Sequence, residues 1–165
     1  MAVIENQTIG GTCVNVGCVP KKVMFNLSTW MEDAHNIQTH QGVQGLSGLK
    51  LDYPFFKQAR DAYVARLNGI YQKNLEGSGV KYIEGRAEFS GPKSVTVKET
   101  SEVYEAEHIC IASGGAPKND GFEGHEHCMN SNDFFAMDKI PKTVTVIGGG
   151  YIGVELAQIL QGLGS

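Results

Sequence analysis

One stretch near the carboxyl end constrains the fold most. Lys142-Thr143-Val144-Thr145-Val146-Ile147 reads as a buried strand. It runs without a break into Gly148-Gly149-Gly150-Tyr151-Ile152-Gly153, and then into an apolar helical pattern from Val154 to Leu163. Strand, G-x-G-x-x-G, helix is the order a dinucleotide-binding unit requires. The first glycine makes the turn, the second admits a pyrophosphate, and the third lets helix and strand pack closely. Phosphates would meet the positive end of the helix. A plain tight turn between strand and helix is the alternative. The chain ends at Ser165, before the second strand whose acid or arginines would select NAD or NADP.

The second informative stretch is Gly10 to Lys22, GGTCVNVGCVPKK. Cys13 and Cys18 are close enough in sequence to close a small disulfide loop, and small accessible loops are the reducible kind. Val23, Leu27, Trp30 or Met31, Ala34 and Ile37 then recur at helical spacing, with Pro20 suited to a first turn. The pair is therefore expected at or just before a helix N-terminus. There the dipole, with Lys21 and Lys22, favours a thiolate. A structural disulfide or two buried thiols would carry the same spacing.

These residues resemble the FAD-dependent pyridine nucleotide-disulfide reductases. CVNVGCVPKK is similar to their redox-active motif, and VPKKVM to the branch that reduces glutathione disulfide. The lipoamide branch usually reads CLNVGCIPSK; thioredoxin and trypanothione reductases have motifs close to this one. RDAYVARLNGIYQKNLE, Arg60 to Glu76, resembles the glutathione branch closely, and VIGGGYIGVELAQILQGLGS resembles the opening of its NADPH domain, with Gly149 and Gly153 in place of commoner alanines. Ser113-Gly114-Gly115 matches a motif usually written ATGG.

The resemblance implies an α/β chain holding parts of two Rossmann-like domains and a β-meander. Residues 1–117 would be a partial FAD-binding domain with the redox disulfide, 118–140 a connection, and 141–165 the start of the NAD(P)H domain. Electrons would pass from NADPH to FAD, to a Cys13–Cys18 disulfide, and to glutathione disulfide. Cys18 would contact the flavin, Cys13 would attack the substrate, and Lys21 would pair with Glu155 beside the flavin. Implied FAD-binding residues are Glu5, Thr12, Cys13, Lys21, Ala87, Ser113 and Gly114. Those for NADPH are Gly148, Gly149, Gly150, Tyr151, Ile152, Gly153 and Glu155, with Tyr151 covering the nicotinamide pocket. Tyr63 and Tyr71 would face the substrate. The complete enzyme would be a homodimer whose C-terminal interface domain supplies an acid–base His from the other subunit. That domain and the first FAD glycine loop are expected to lie outside this chain. A truncated module without turnover is the contrasting expectation.

The remaining segments carry weaker signals. Ala2 to Glu5 reads as a short buried strand ending on an acid, and Gln38 to Leu51 as a loop. Asp52 caps a long helix with Pro54 in its first turn, ended by Gly77 and Gly79. Its stripe Phe56, Ala59, Tyr63, Leu67, Ile70, Asn74 is an ordinary core pattern. Strands are expected at Val80–Gly85, Ser94–Lys98 and Glu102–Ala106. His108–Ala112 reads as a strand buried on both faces, which makes Cys110 a core thiol. Residues 116–128 read as an irregular linker, where His125, His127 and Cys128 are too few to imply a metal. The net charge of -4 offers no basic footprint for nucleic acid. No apolar run reaches a membrane span. The first residues lack a basic start and apolar stretch, so a cytoplasmic protein is expected, with a mitochondrial or plastid form left open.

Overall fold

A computed structural model describes residues 1–46, 48–118 and 121–165. Strand β1 (Ala2–Glu5) leads to a short helix α1 (Gly11–Val16) and the long helix α2 (Cys18–His40). After a loop comes α3 (Tyr53–Gly77), then β2 (Lys81–Glu84). Strands β3 (Ala87–Gly91), β4 (Ser94–Val97) and β5 (Val103–Glu105) follow. A 3-10 turn at His125–His127, helix α4 (Ser131–Ala136) and helix α5 (Tyr151–Gly162) complete the order. Helix and sheet are mixed as the α/β expectation requires.

β1 pairs in parallel with β2, Ala2 opposite Lys81 and Glu5 opposite Glu84. A parallel pair needs a crossover, and α1 to α3 supply it. β3, β4 and β5 form an antiparallel meander, with a register shift between Phe89 and Gly91. The core is helical. Met24 of α2, Tyr53 of α3, Phe134 and Phe135 of α4, and Ile159, Leu160 and Leu163 at the end of α5 form one buried cluster.

Helix ends follow local chemistry. The Asp52 carboxylate accepts from the Phe55 amide at 3.1 Å and Pro54 lies in the first turn, as expected. Asn130 and Asp133 form a reciprocal capping box that starts α4. α2 runs to His40, so the expected loop from Gln38 begins three residues later; Ser47 in that loop lies outside the described residues. The linker expected at 116–128 carries the 3-10 turn, and its residues 119 and 120 lie outside the described residues.

Two expected strands do not form. Residues 108–112 and 142–147 take no regular secondary structure and have no ladder partner among the described residues. Ile111 is 73% exposed, and Cys110 is an exposed thiol rather than a core one. An apolar run becomes a buried parallel strand only with neighbours on both edges and helices on both faces. Among the described residues no such neighbours pair with them. The helical stripes are also rotated from expectation. On α2 the buried line is Pro20, Met24 and Ser28, while Trp30 is exposed. On α3 it runs through Tyr53 and Arg60, and Tyr63, Ile70 and Tyr71 face outward.

Arg60 explains part of that rotation. This nearly fully buried guanidinium donates to Asp61 Oδ1 at 2.9 and 2.7 Å, to the Phe135 carbonyl at 2.7 Å and to Met24 Sδ at 3.3 Å. It thereby ties α3 to α4 and α2. A buried charge is tolerated because its donors are satisfied.

Candidate functional site

The two cysteines sit on either side of a helix break. Cys13 lies within α1 and Cys18 is the first residue of α2, with Gly17 between the helices. Gly17 cannot carry a side chain, because a Cβ there would come within 2.7 Å of the Thr12 carbonyl. Both cysteines are free, exposed thiols. Hydrogen bonding to the Cys18 side chain, helped by partial desolvation, raises the Cys13 thiol above its ordinary range. The expected thiolate stabilisation therefore does not extend to Cys13. Nor are both lysines available to it: Lys22 lies 4.6 Å over the Phe25 ring and Lys21 has a carboxylate partner.

That partner is Glu155. Lys21 Nζ donates to Glu155 Oε1 at 2.7 Å, across 134 residues of chain. Lys21 lies in the first turn of α2 and Glu155 early in α5. The contact joins the helix that opens on Cys18 to the helix that opens on the glycine turn. Both side chains are partly exposed, at 25% and 43%. Its contribution to stability is thus modest, and its effect is geometric.

The glycine turn has the expected form even though its strand does not. Gly148 sits at φ +102°, a backbone that side chains rarely adopt. Gly150 is the N-cap of α5. A Cβ on Gly153 would lie 3.1 Å from the Gly148 carbonyl and 3.2 Å from Val146, so the third glycine marks close packing of turn and helix.

A cleft of about 1220 Å³ opens beside these elements. Glu5, Thr12, Ser113 and Gly114 line it, as do Tyr151, Ile152 and Gly153. It is larger than most small-molecule pockets, which run to roughly 1,000 Å³. Glu5 ends β1 and accepts from the Gln7 amide at 2.9 Å, which fixes its carboxylate at the cleft edge. Among the remaining expected residues, Cys13, Cys18, Lys21 and Glu155 lie outside the lining, although Thr12 and Val16 beside the cysteines belong to it. Gly148, Gly149 and Gly150 also lie outside it, and Ala87 opens β3 at an exposed position away from it. Tyr63 and Tyr71 lie on the outer face of α3.

Two residues absent from the expected set hold the dithiol loop. Asn15 Nδ2 donates to the carbonyls of Gly11 at 2.9 Å and Ile9 at 3.2 Å. Asn68 of α3 donates to the Ile9 carbonyl at 2.6 Å and to Asn15 Oδ1 at 3.0 Å. An Asn within a helical turn, four residues after Gly11, is a legible signal of side-chain-to-backbone bonding. Asn68 carries no such local signal. Among the described residues no group of His, Cys, Asp or Glu could hold a metal ion. No described helix is long and apolar enough to cross a membrane.

A dithiol at a helix start is thus tied through an ion pair to a helix that opens on a glycine turn. Residues 1–165 match the pyridine nucleotide-disulphide oxidoreductase family, and the chain belongs to it. Within that family it is similar to the glutathione reductase of Yarrowia lipolytica, 44% identical over 98% of this chain, and to that of Debaryomyces hansenii, 42% identical over 95%. The glutathione reductase of Schizosaccharomyces pombe is 39% identical over 100% of it. The chain spans 37% of the length of each of these relatives.

Proposed function

We propose that this chain is the dithiol-bearing segment of an NADPH-dependent, FAD-containing enzyme that reduces glutathione disulfide. The Lys21–Glu155 pair at 2.7 Å carries the proposal, because it sets the Cys18 helix beside the helix of the glycine turn. The chain's similarity to three glutathione reductases supports glutathione disulfide as substrate.

The residues present fit a dinucleotide. The cleft has the volume, a carboxylate at its edge in Glu5, a hydroxyl in Thr12, and small residues at Ser113 and Gly114 where a backbone can approach a ligand. We assign Glu5, Thr12, Cys13, Lys21, Ala87, Ser113 and Gly114 to FAD, and Gly148 through Gly153 with Glu155 to NADPH. FAD supplies a two-electron relay between NADPH and the cysteine pair. Residues 1–117 form the FAD part, 118–140 the connection and 141–165 the start of the NADPH part. The complete enzyme is a cytoplasmic homodimer.

The chain's own chemistry is thiol–disulfide exchange. Cys13 loses its proton and attacks one sulfur of glutathione disulfide, forming a mixed disulfide and releasing one glutathione thiolate. Cys18 then attacks the Cys13 sulfur and releases the second. The products are two glutathione thiols and a Cys13–Cys18 disulfide. Tyr63 and Tyr71 face the substrate from α3. Arg66 lies 5.2 Å over the Tyr63 ring, and a cation there would suit a carboxylate-bearing substrate.

The test is Cys13→Ser in a complete enzyme containing this chain. Reduction of glutathione disulfide should be abolished, while reduction of the flavin by NADPH continues. Loss of both half-reactions, or of neither, would contradict the assignment.

A further inference from the structure

α2 and α5 are held together at two places. Lys21 pairs with Glu155, and Ser28 meets Gly162. In each helix the second residue lies seven positions after the first, two turns or about 10 Å along the axis. The helices therefore run in the same direction and in register, and their N-termini lie at the same end. One begins at Cys18 and the other at Tyr151, directly after the glycine turn.

The second contact is close. A Cβ on Gly162 would lie 2.9 Å from Ser28 Oγ, 3.0 Å from its Cβ and 3.0 Å from its carbonyl oxygen. Ser28 is 2% exposed, so its side chain has little room to turn away. Met24 and Ile159, both fully buried, lie between the two contacts along the helices. Displacing one end of a close-packed pair moves the other.

We propose that Gly162 is a positioning residue. Its contact with Ser28 sets the spacing of α2 and α5, and through it the Lys21–Glu155 pair and the placing of the glycine turn beside Cys18. The inference rests on reading those two helix starts as one redox site. Gly162 ends its helix, where a glycine ordinarily serves the backbone; here it permits a close approach.

Stability is a poor readout, since alanine in place of a helical glycine adds about 0.5–1 kcal/mol of helix preference that offsets the clash. Reactivity of Cys18 is a better one. Lys21 lies three residues after Cys18, on the same face of α2. Removing or withdrawing the Glu155 carboxylate leaves that cation uncompensated and favours the thiolate. The experiment measures alkylation of Cys18 by iodoacetamide at neutral pH in the 165-residue chain, read by peptide mass spectrometry, with circular dichroism to confirm folding. Glu155→Gln should speed it about threefold. Gly162→Ala should speed it in the same sense. Adding Ser28→Gly, which removes the side-chain part of the clash, should return the rate toward that of the parent. Gly162→Ala folded with an unchanged rate, no recovery in the double variant, or an unchanged rate in Glu155→Gln would each overturn the proposal. The readout needs no flavin, so a failure to bind FAD bears on the proposed function alone.

Discussion

Hydrogen bonding to Cys18 holds the Cys13 thiol above its ordinary range. A raised value means the folded chain holds that proton more tightly than the unfolded one. The associated stability is present below the ordinary thiol range and is lost as pH rises through the raised value. Cys18→Ala removes the partner. Cys13 should then alkylate faster at neutral pH, with its midpoint shifted down; a slower or unchanged rate would contradict the hydrogen bond. Gly10 is the other residue on which the loop turns. Its φ is +97°, and a Cβ would come within 2.8 Å of the Val14 Cβ. Gly10→Ala should cost about 2 kcal/mol or more in urea denaturation. The spacing of the cysteines and the glycines around them was readable in the sequence. The thiol–thiol bond was not, since it depends on how two short helices meet at Gly17.

At the level of elements, Arg60 is the side chain that α3, α4 and α2 share. Arg60→Ala strands the Phe135 carbonyl and opens a cavity beside Met24, and should lower stability by about 2–4 kcal/mol in thermal or urea melts. A loss within 0.5 kcal/mol would show that the elements pack without it. Helix starts were legible because caps are local: Asp52, Pro54 and the glycine turn each act within four residues. Helix faces were not. The α2 stripe read as Val23, Leu27 and Ile37, yet the buried centre is Met24 and Ser28, set by the approach of Gly162 from 134 residues away. The strands at 108–112 and 142–147 were misread for the same kind of reason. Periodicity reports what a segment can do, while a parallel ladder depends on neighbours far along the chain.

Across the whole molecule, the ends of the chain converge. β1 with the dithiol helices comes from the first forty residues and α5 from the last fifteen, and the cleft between them collects Glu5, Thr12, Ser113 and Gly153. Local motifs announced both ends, while their union rests on long-range packing. We propose that this union is a flavin site coupled to NADPH and the cysteine pair. The most direct test is the visible absorbance spectrum of the purified chain with FAD, before and after NADPH is added. Bound flavin bands should appear, and reduction of the cysteine pair by NADPH should add a long-wavelength absorbance, dependent on Cys18, while the flavin itself is oxidised. A chain that is folded by circular dichroism yet retains no flavin after gel filtration would contradict it.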